Sequence, residues 1–447
     1  PDSVTTIAAN AFYGSSLETA TFAEGLTEIG TAAFEYCRYL TSFRAPGAAI
    51  LVADSAFRDC SSLSVFDAAV AGMGPYAFSG AVLEEVTFSD SLTSLGHHAF
   101  EGCPFRAVAL PSGYTGSVPL GCFYGCEFLS SVDLGGATDV RSAAFGGCGA
   151  LSSVDLSAVS TIGAQAFMES GLAEAESAAL TSVGEMAFAN CFSLRAVDFP
   201  NVASVGGGAF FDCSALERVN IAADARLETR AFYGCSALQS FSGGVSYVGE
   251  SAFYGCTSLE EVDLRSEGSV AVEGSAFVNC GALRSVRISA KSVQISPLTF
   301  YGFDGLRELC IEGAESIVLG NSAFEGSGLT GISLSAQDVE VWENAFADCK
   351  ALASVSLSGT GVGIGARAFE NCTALEEVRV KAESGSIGAA AFANTPQMSV
   401  YLDVSAEYGW EGKVPEHLTV YVPSEVRHAL LSSWLVSAER LIAYDFS

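Results

Sequence analysis

The chain has 447 residues, of which 49% are hydrophobic and only 16% charged, yet its net charge is −30, from 51 Asp and Glu against 21 Lys and Arg. Such a surface repels phosphate backbones and anionic lipid, so nucleic acid is not an expected partner. Basic proteins and divalent cations remain. No stretch approaches the ~20 uninterrupted apolar residues of a membrane span, so no membrane insertion is expected.

Val4 to Ile7 reads as a strand ahead of Phe12, which places Pro1 inside a repeating unit and leads us to expect a further segment upstream. From Phe12 the unit recurs eighteen times, at gaps of 21 to 24 residues, through Phe145 and Phe232 to Phe392. The preceding residue is Ala in every copy except two, which have Cys122 and Thr299. One clean copy runs Ala144-Phe145-Gly-Gly-Cys148-Gly-Ala-Leu151-Ser-Ser-Val154-Asp155-Leu156, followed by Val159-Ser-Thr-Ile162-Gly163. Val154-Asp155-Leu156 alternates apolar and polar, the period of a half-buried strand. A second short strand ends at Ile162-Gly163. The segment from Phe145 to Leu151 has room only for a short turn, helical or 3₁₀. One unit cannot bury its own apolar face, whereas stacked units can, with each strand pairing in parallel with its copy in the next coil. Residues 1–402 are therefore expected to form one solenoid.

Twelve of the fourteen Cys fall three residues after the repeat Phe, among them Cys37, Cys148 and Cys372. Ser15, Ala81, Ser170 and Ser327 fill the same place elsewhere, and in those copies the next Leu comes one residue early. Slot and turn length vary together, which favours a buried free-thiol ladder. A disulfide is the alternative, because neighbouring thiols lie ~5 Å apart. Metal is not expected, since zinc needs about four ligands converging on a point. Cys310 lies outside the column at an outward strand position and is the candidate reactive thiol.

Nothing resembles a catalytic site, and no cofactor is expected. His97-His98 reads as a surface loop pair. The outward residue of the first strand carries Asp133, Asp155, Glu176 and Asp198 in four consecutive units and Asp263 further on. These five are the candidate binding residues. The four consecutive carboxylates would form an unbroken acidic ladder, with neighbours ~5 Å apart costing roughly 0.8 kcal/mol each in a water-like dielectric. A solvated face and a patch for a basic protein segment or Ca²⁺ are both open readings. Phe211, Tyr233 and Tyr254 recur just after the repeat Phe, as outer packing or as a strip for a partner. From Asp403 the period breaks. Leu418 to Val422 reads as a last strand, Pro423 follows, and Ser424 is placed to N-cap a helix to about Trp434, with Glu425 in its first turn. Residues 403–447 are thus expected to cap the solenoid.

The unit Ala-Phe-x-x-Cys-x-x-Leu-x-x-Val-x-Leu, matched position by position at Ala187 to Phe199 and Ala252 to Leu264, resembles the BspA-like, or Treponema-type, leucine-rich repeat. The resemblance implies a right-handed superhelix with a parallel β-sheet on its concave face, built of short strands and 3₁₀ or short-helical turns. It also implies an extracellular or cell-surface bacterial protein. Such a protein would be a non-catalytic, monomeric adhesion or binding module for a protein ligand, such as a host matrix or surface protein. A cell-envelope spacer and a glycan-binding surface module are the alternatives.

Overall fold

The computed structural model describes residues 3–446 apart from 223, 435 and 438. The chain is a parallel β-solenoid with almost no helix. It divides into two compact units, one ending at Asn220 and one beginning at Ile221. The strands pair coil on coil. In the first unit Val132 lies beside Val154 and Ile162 beside Val183. In the second, Val355 lies beside Val378 and Val362 beside Gly385. A shift of one repeat therefore superposes inward residue on inward residue, which is what fixes register where one face is buried.

First strands of the first unit are two or three residues long and, apart from Thr87–Phe88, form separate three-stranded sheets. One contains Ala107–Ala109, Ser131–Asp133 and Ser153–Val154, and the next contains Glu174–Glu176, Ala196–Asp198 and Arg218–Asn220. In the second unit Gly331–Ser335, Ser354–Ser358, Glu377–Ala382, Met398–Val404, Leu418–Pro423 and Leu441–Tyr444 form one six-stranded sheet.

The turn holding the repeat Phe is not helical. The residues two before and two after each Phe have positive φ in all eighteen copies, as at Ala143 (53°) and Gly147 (74°). Interleaving left-handed residues prevents a helical turn and aims alternate amides at the next coil. Ala143, Phe145 and Gly147 donate to the carbonyls of Ala164, Ala166 and Met168 at 2.8 Å. A third hydrogen-bonded side results, without a strand. The position two after Phe is Gly, Asn or Asp except at Tyr36 and Glu169, the types that tolerate this conformation best. No β-branched residue occupies either place.

Behind this turn the Phe rings form a column. Phe123 and Phe145 stack at 5.3 Å and Phe145 and Phe167 at 5.4 Å, with Phe324 and Phe346 at 5.2 Å in the second unit. The Cys column is a thiol ladder, with no disulfide among the described residues. Thiols of the column donate to the carbonyl of the Phe one coil earlier, as Cys148 to Phe123 at 3.2 Å and Cys372 to Phe346 at 3.1 Å. Burial pushes the Cys148 thiol up to about 12, so the proton needed for that bond stays in place. Where Ser stands instead, its hydroxyl meets the next thiol, Ser170 and Cys191 at 3.3 Å.

The end of the second unit closes these columns with large side chains. Trp410 lies 6.0 Å from Phe392 and Trp434 lies 5.6 Å from Trp410. Gly385 stands where an inward side chain belongs, and Tyr408 of the next coil uses the space. Its hydroxyl donates to the Val362 carbonyl two coils back at 2.9 Å. The helix here is Arg427–Ser433. Its N-cap is Val426, without a side-chain cap bond. Ser424 and Glu425 instead belong to the turn that follows the strand, where Val426 N bonds the Pro423 carbonyl at 3.3 Å. A further strand, Leu441–Tyr444, pairs beyond Leu418–Pro423.

Candidate functional site

The site is built on the first strands of the unit ending at Asn220. In each of these strands the central residue is inward and the flanking ones face out, so the carboxylates of Asp133, Glu176 and Asp198 are exposed, as is that of Asp155 just after its strand. Glu176 and Asp198 sit side by side in register. Asp198 accepts a 2.6 Å bond from Asn220 Nδ2.

The ladder is interrupted rather than continuous. Ser153–Val154 ends one sheet and Glu174–Glu176 begins the next. In the intervening coil Ala175 and Ser177 occupy the two inward places that Val154 and Leu156 hold one repeat earlier. A methyl and a hydroxymethyl offer little cross-strand packing, and Val154 is left half-buried. Ser177, itself buried, donates to the Val159 carbonyl at 3.1 Å and accepts from the amides of Ala179 and Leu180. The bond to Val159 ties the two coils together where the strand ladder lapses, and the other two shape the turn that follows. The gap is a groove of about 450 Å³ lined by Ser131, Ser153, Val154, Asp155, Ser157 and Glu176. The pair of small residues at 175 and 177 is a sequence signal that the hydrophobic period alone passes over.

Asp133 and Asp155 also shape their own turns. Their carboxylates accept from the Gly135 and Ser157 amides, each at 2.9 Å. Hydrogen bonds from Ser157 hold the Asp155 carboxyl below its ordinary value. Among the described residues, no Lys or Arg lies within ion-pair distance of Asp133, Asp155, Glu176 or Asp198.

Asp263 differs. It lies in the second unit, 2.5 Å from Arg265, with Arg287 beside it in register. The first-strand face there is largely self-neutralised: Arg287 meets Glu312 at 2.9 Å, Arg379 meets Glu377 at 2.6 Å and Lys381 meets Asp403 at 3.5 Å. Beyond them the outward row becomes aromatic. Tyr401 carries the Arg379 guanidinium at 4.6 Å and stacks on Tyr421 at 4.6 Å.

Cys310 is half-buried, and burial followed by a hydrogen bond to Glu312 raises its thiol above the ordinary value, contrary to the expectation of a reactive thiolate. The raised value disfavours the nucleophilic form. His98 is no free loop residue. It stacks on Tyr76 at 5.1 Å and its Nδ1 lies 3.1 Å from Glu101. Tyr233 and Tyr254 stack at 4.6 Å. Among the described residues no group of three His, Cys, Asp or Glu is placed to hold a metal ion. No helix of the described residues is long and apolar enough to cross a membrane.

With this geometry in place, the sequence matches the model of the BspA type leucine rich repeat region over residues 1–70, 65–174, 160–270, 228–336 and 270–399. The chain belongs to the BspA-type leucine-rich repeat family. Among solved structures it is similar to a leucine-rich repeat protein from Bacteroides ovatus, with 20% identity, 89% of this chain and 82% of that one covered, and a TM-score of 0.35. A leucine-rich repeat protein of T. pallidum shares 30% identity over 33% of this chain and 70% of its own, with a TM-score of 0.27. A leucine-rich cell surface protein from Faecalibacterium prausnitzii shares 18% identity over 97% and 87%, with a TM-score of 0.23. No curated protein sequence matches.

Proposed function

We infer that this chain is a non-catalytic, extracellular or cell-surface binding module. It engages a basic segment of a protein ligand through the first-strand face around Asp133, Asp155, Glu176 and Asp198. The observation that carries the reading is a row of exposed carboxylates without cationic partners, flanking a groove where the sheet is open. Family membership supports the extracellular setting. A carboxylate row left unneutralised steers a cationic partner and is weakened by salt. The second unit's face pairs its charges internally, which favours a spacer role for that part of the chain.

The test is the affinity of a fluorescent dodecapeptide rich in Lys and Arg for the intact chain. Asp155→Lys with Asp198→Lys should weaken it at least about tenfold, and wild-type binding should fall with rising salt. Equal affinity for wild type and double variant would remove this face from the account.

A further inference from the structure

The turn side of the second unit holds a second groove, made by two consecutive departures from the repeat. In the coil of Phe300 the thiol slot is taken by Phe303, which is too large for it and remains half-exposed, its ring at 79° and 5.8 Å to Phe300. In the next coil Ser327 and Gly328 shorten the turn by one residue, so that Leu329 comes early. The shortened turn draws back, and Gly328 N bonds the Phe303 carbonyl at 3.0 Å. A groove of about 510 Å³ opens between a filled turn and a receded one. A smaller one of about 280 Å³ lies on the other side of the Phe303 turn.

The lining of the larger groove is polar, of both signs, and mostly unengaged. Tyr301 is 55% exposed at its wall. The side chains of Tyr301, Asp304, Glu325 and Lys350 make no hydrogen bond or ion pair among the described residues. Arg307 is spent on backbone carbonyls, including that of Gly328 at 3.0 Å, and Asp348 accepts from Asn371 at 3.3 Å. Gly328 is needed here, since a Cβ would collide with the Asp304 backbone carbonyl.

We propose that this groove binds a neutral saccharide of one to three sugar units. The volume suits a small ligand. A single exposed ring supplies an apolar face for sugar C–H groups, while carboxylate acceptors and an ammonium donor lie beside it for hydroxyls, which both donate and accept. The turn offers no strand edge on which an extended peptide could add by backbone pairing. An anionic ligand meets the free carboxylates of Asp304 and Glu325 against one free cation. The site is separate from the acidic face and does not depend on its reading.

The experiment is saturation-transfer NMR and calorimetry on the intact chain with four probes: maltotriose, chitotriose, laminaritriose and mannotriose. A hexapeptide of mixed sequence serves as control. At least one trisaccharide should bind, with transfer concentrated on ring C–H protons. Tyr301→Ala should weaken it at least tenfold. Phe303→Cys, which restores the ordinary slot residue and keeps the fold, should also weaken it at least tenfold, while Tyr254→Ala leaves it unchanged. No binding of any trisaccharide overturns the proposal. So does binding indifferent to both Tyr301→Ala and Phe303→Cys, or binding of the peptide in preference to the sugars.

Discussion

Two coils, one from each unit, show how a single extra residue changes the surface. Phe145 to Phe167 spans 22 residues and Phe346 to Phe369 spans 23, with the same order of Cys, Leu, Val and Leu at the start. After Leu156 the next inward residues are Val159 and Ile162, three apart. The Val159 amide closes onto the Leu156 carbonyl at 2.8 Å, and the strands Ser153–Val154 and Thr161–Ile162 hold two residues each. After Leu357 the inward residues are Val362 and Ile364, two apart, and the strands Ser354–Ser358 and Gly361–Ile364 hold five and four. Spacing by three makes a turn and spacing by two makes a strand. In the short-strand coil the outward Asp155 is drawn into its own turn and stays unpaired by cations. In the long-strand coils outward charges neutralise one another, along a strand at Asp263–Arg265 and Glu377–Arg379 and across strands at Arg287–Glu312 and Lys381–Asp403. In these two coils the strand length is thus set by the spacing of the buried residues.

The columns common to both units should answer alike. Phe145→Ala and Phe346→Ala each remove a ring stacked on both sides and should each cost about 3–5 kcal/mol, read as a loss of urea stability. A large cost in one unit and a negligible one in the other would break the equivalence. Next in size is the thiol slot. Cys148→Leu should cost about 1–3 kcal/mol by overpacking, whereas Cys148→Ser should cost less, since a side chain of that size fills the place in the shorter turns of Ser15, Ser170 and Ser327.

The gap in the first unit is open to repair. Ala175→Val restores the usual inward residue and should stabilise by about 1 kcal/mol, from ~0.8 kcal/mol per buried CH₂ less the ordering of the side chain. By restoring cross-strand packing it should also close the gap in the sheet and weaken binding of the basic peptide, and stabilisation without loss of binding would separate the two. The smallest effect is electrostatic. The Asp155 carboxyl is held low by Ser157. Its stabilising contribution is therefore present above the unfolded carboxylate pKa and is lost as pH falls through the depressed folded value. Its exposure keeps that contribution small. Ser356, at the equivalent place, supplies none. An NMR titration of Asp155 with an ordinary midpoint would contradict the turn geometry.

Much of this was legible beforehand. The Phe, Cys and Leu columns announced themselves because each buried slot accepts few side chains, and Ser, Ala and Cys exchanged freely at one of them. The expectation of a helical or 3₁₀ turn fails because left-handed backbone leaves only an indirect trace in sequence. That trace is Gly, Asn and Asp two after Phe and the lack of β-branched residues at both flanks. Asp133, Glu176 and Asp198 stand at outward places on first strands and Asp155 just after one, but the interruption of the row depends on Ala175 and Ser177, which still satisfy a loose apolar or small pattern. The cap gave its Pro423 strand but hid Leu441–Tyr444, which has no repeat to be compared with. Its helix start eluded the reading because Ser424 has the residue type of a cap but sits in the preceding turn.

The most direct measurement is amide hydrogen exchange of the intact chain with and without the Lys- and Arg-rich dodecapeptide. Protection should rise at residues 153–157 and 174–178 and stay unchanged at 354–358. Protection confined to the long-strand sheet, or none at either place, would contradict the claim that unpaired carboxylates beside an open sheet form the binding face.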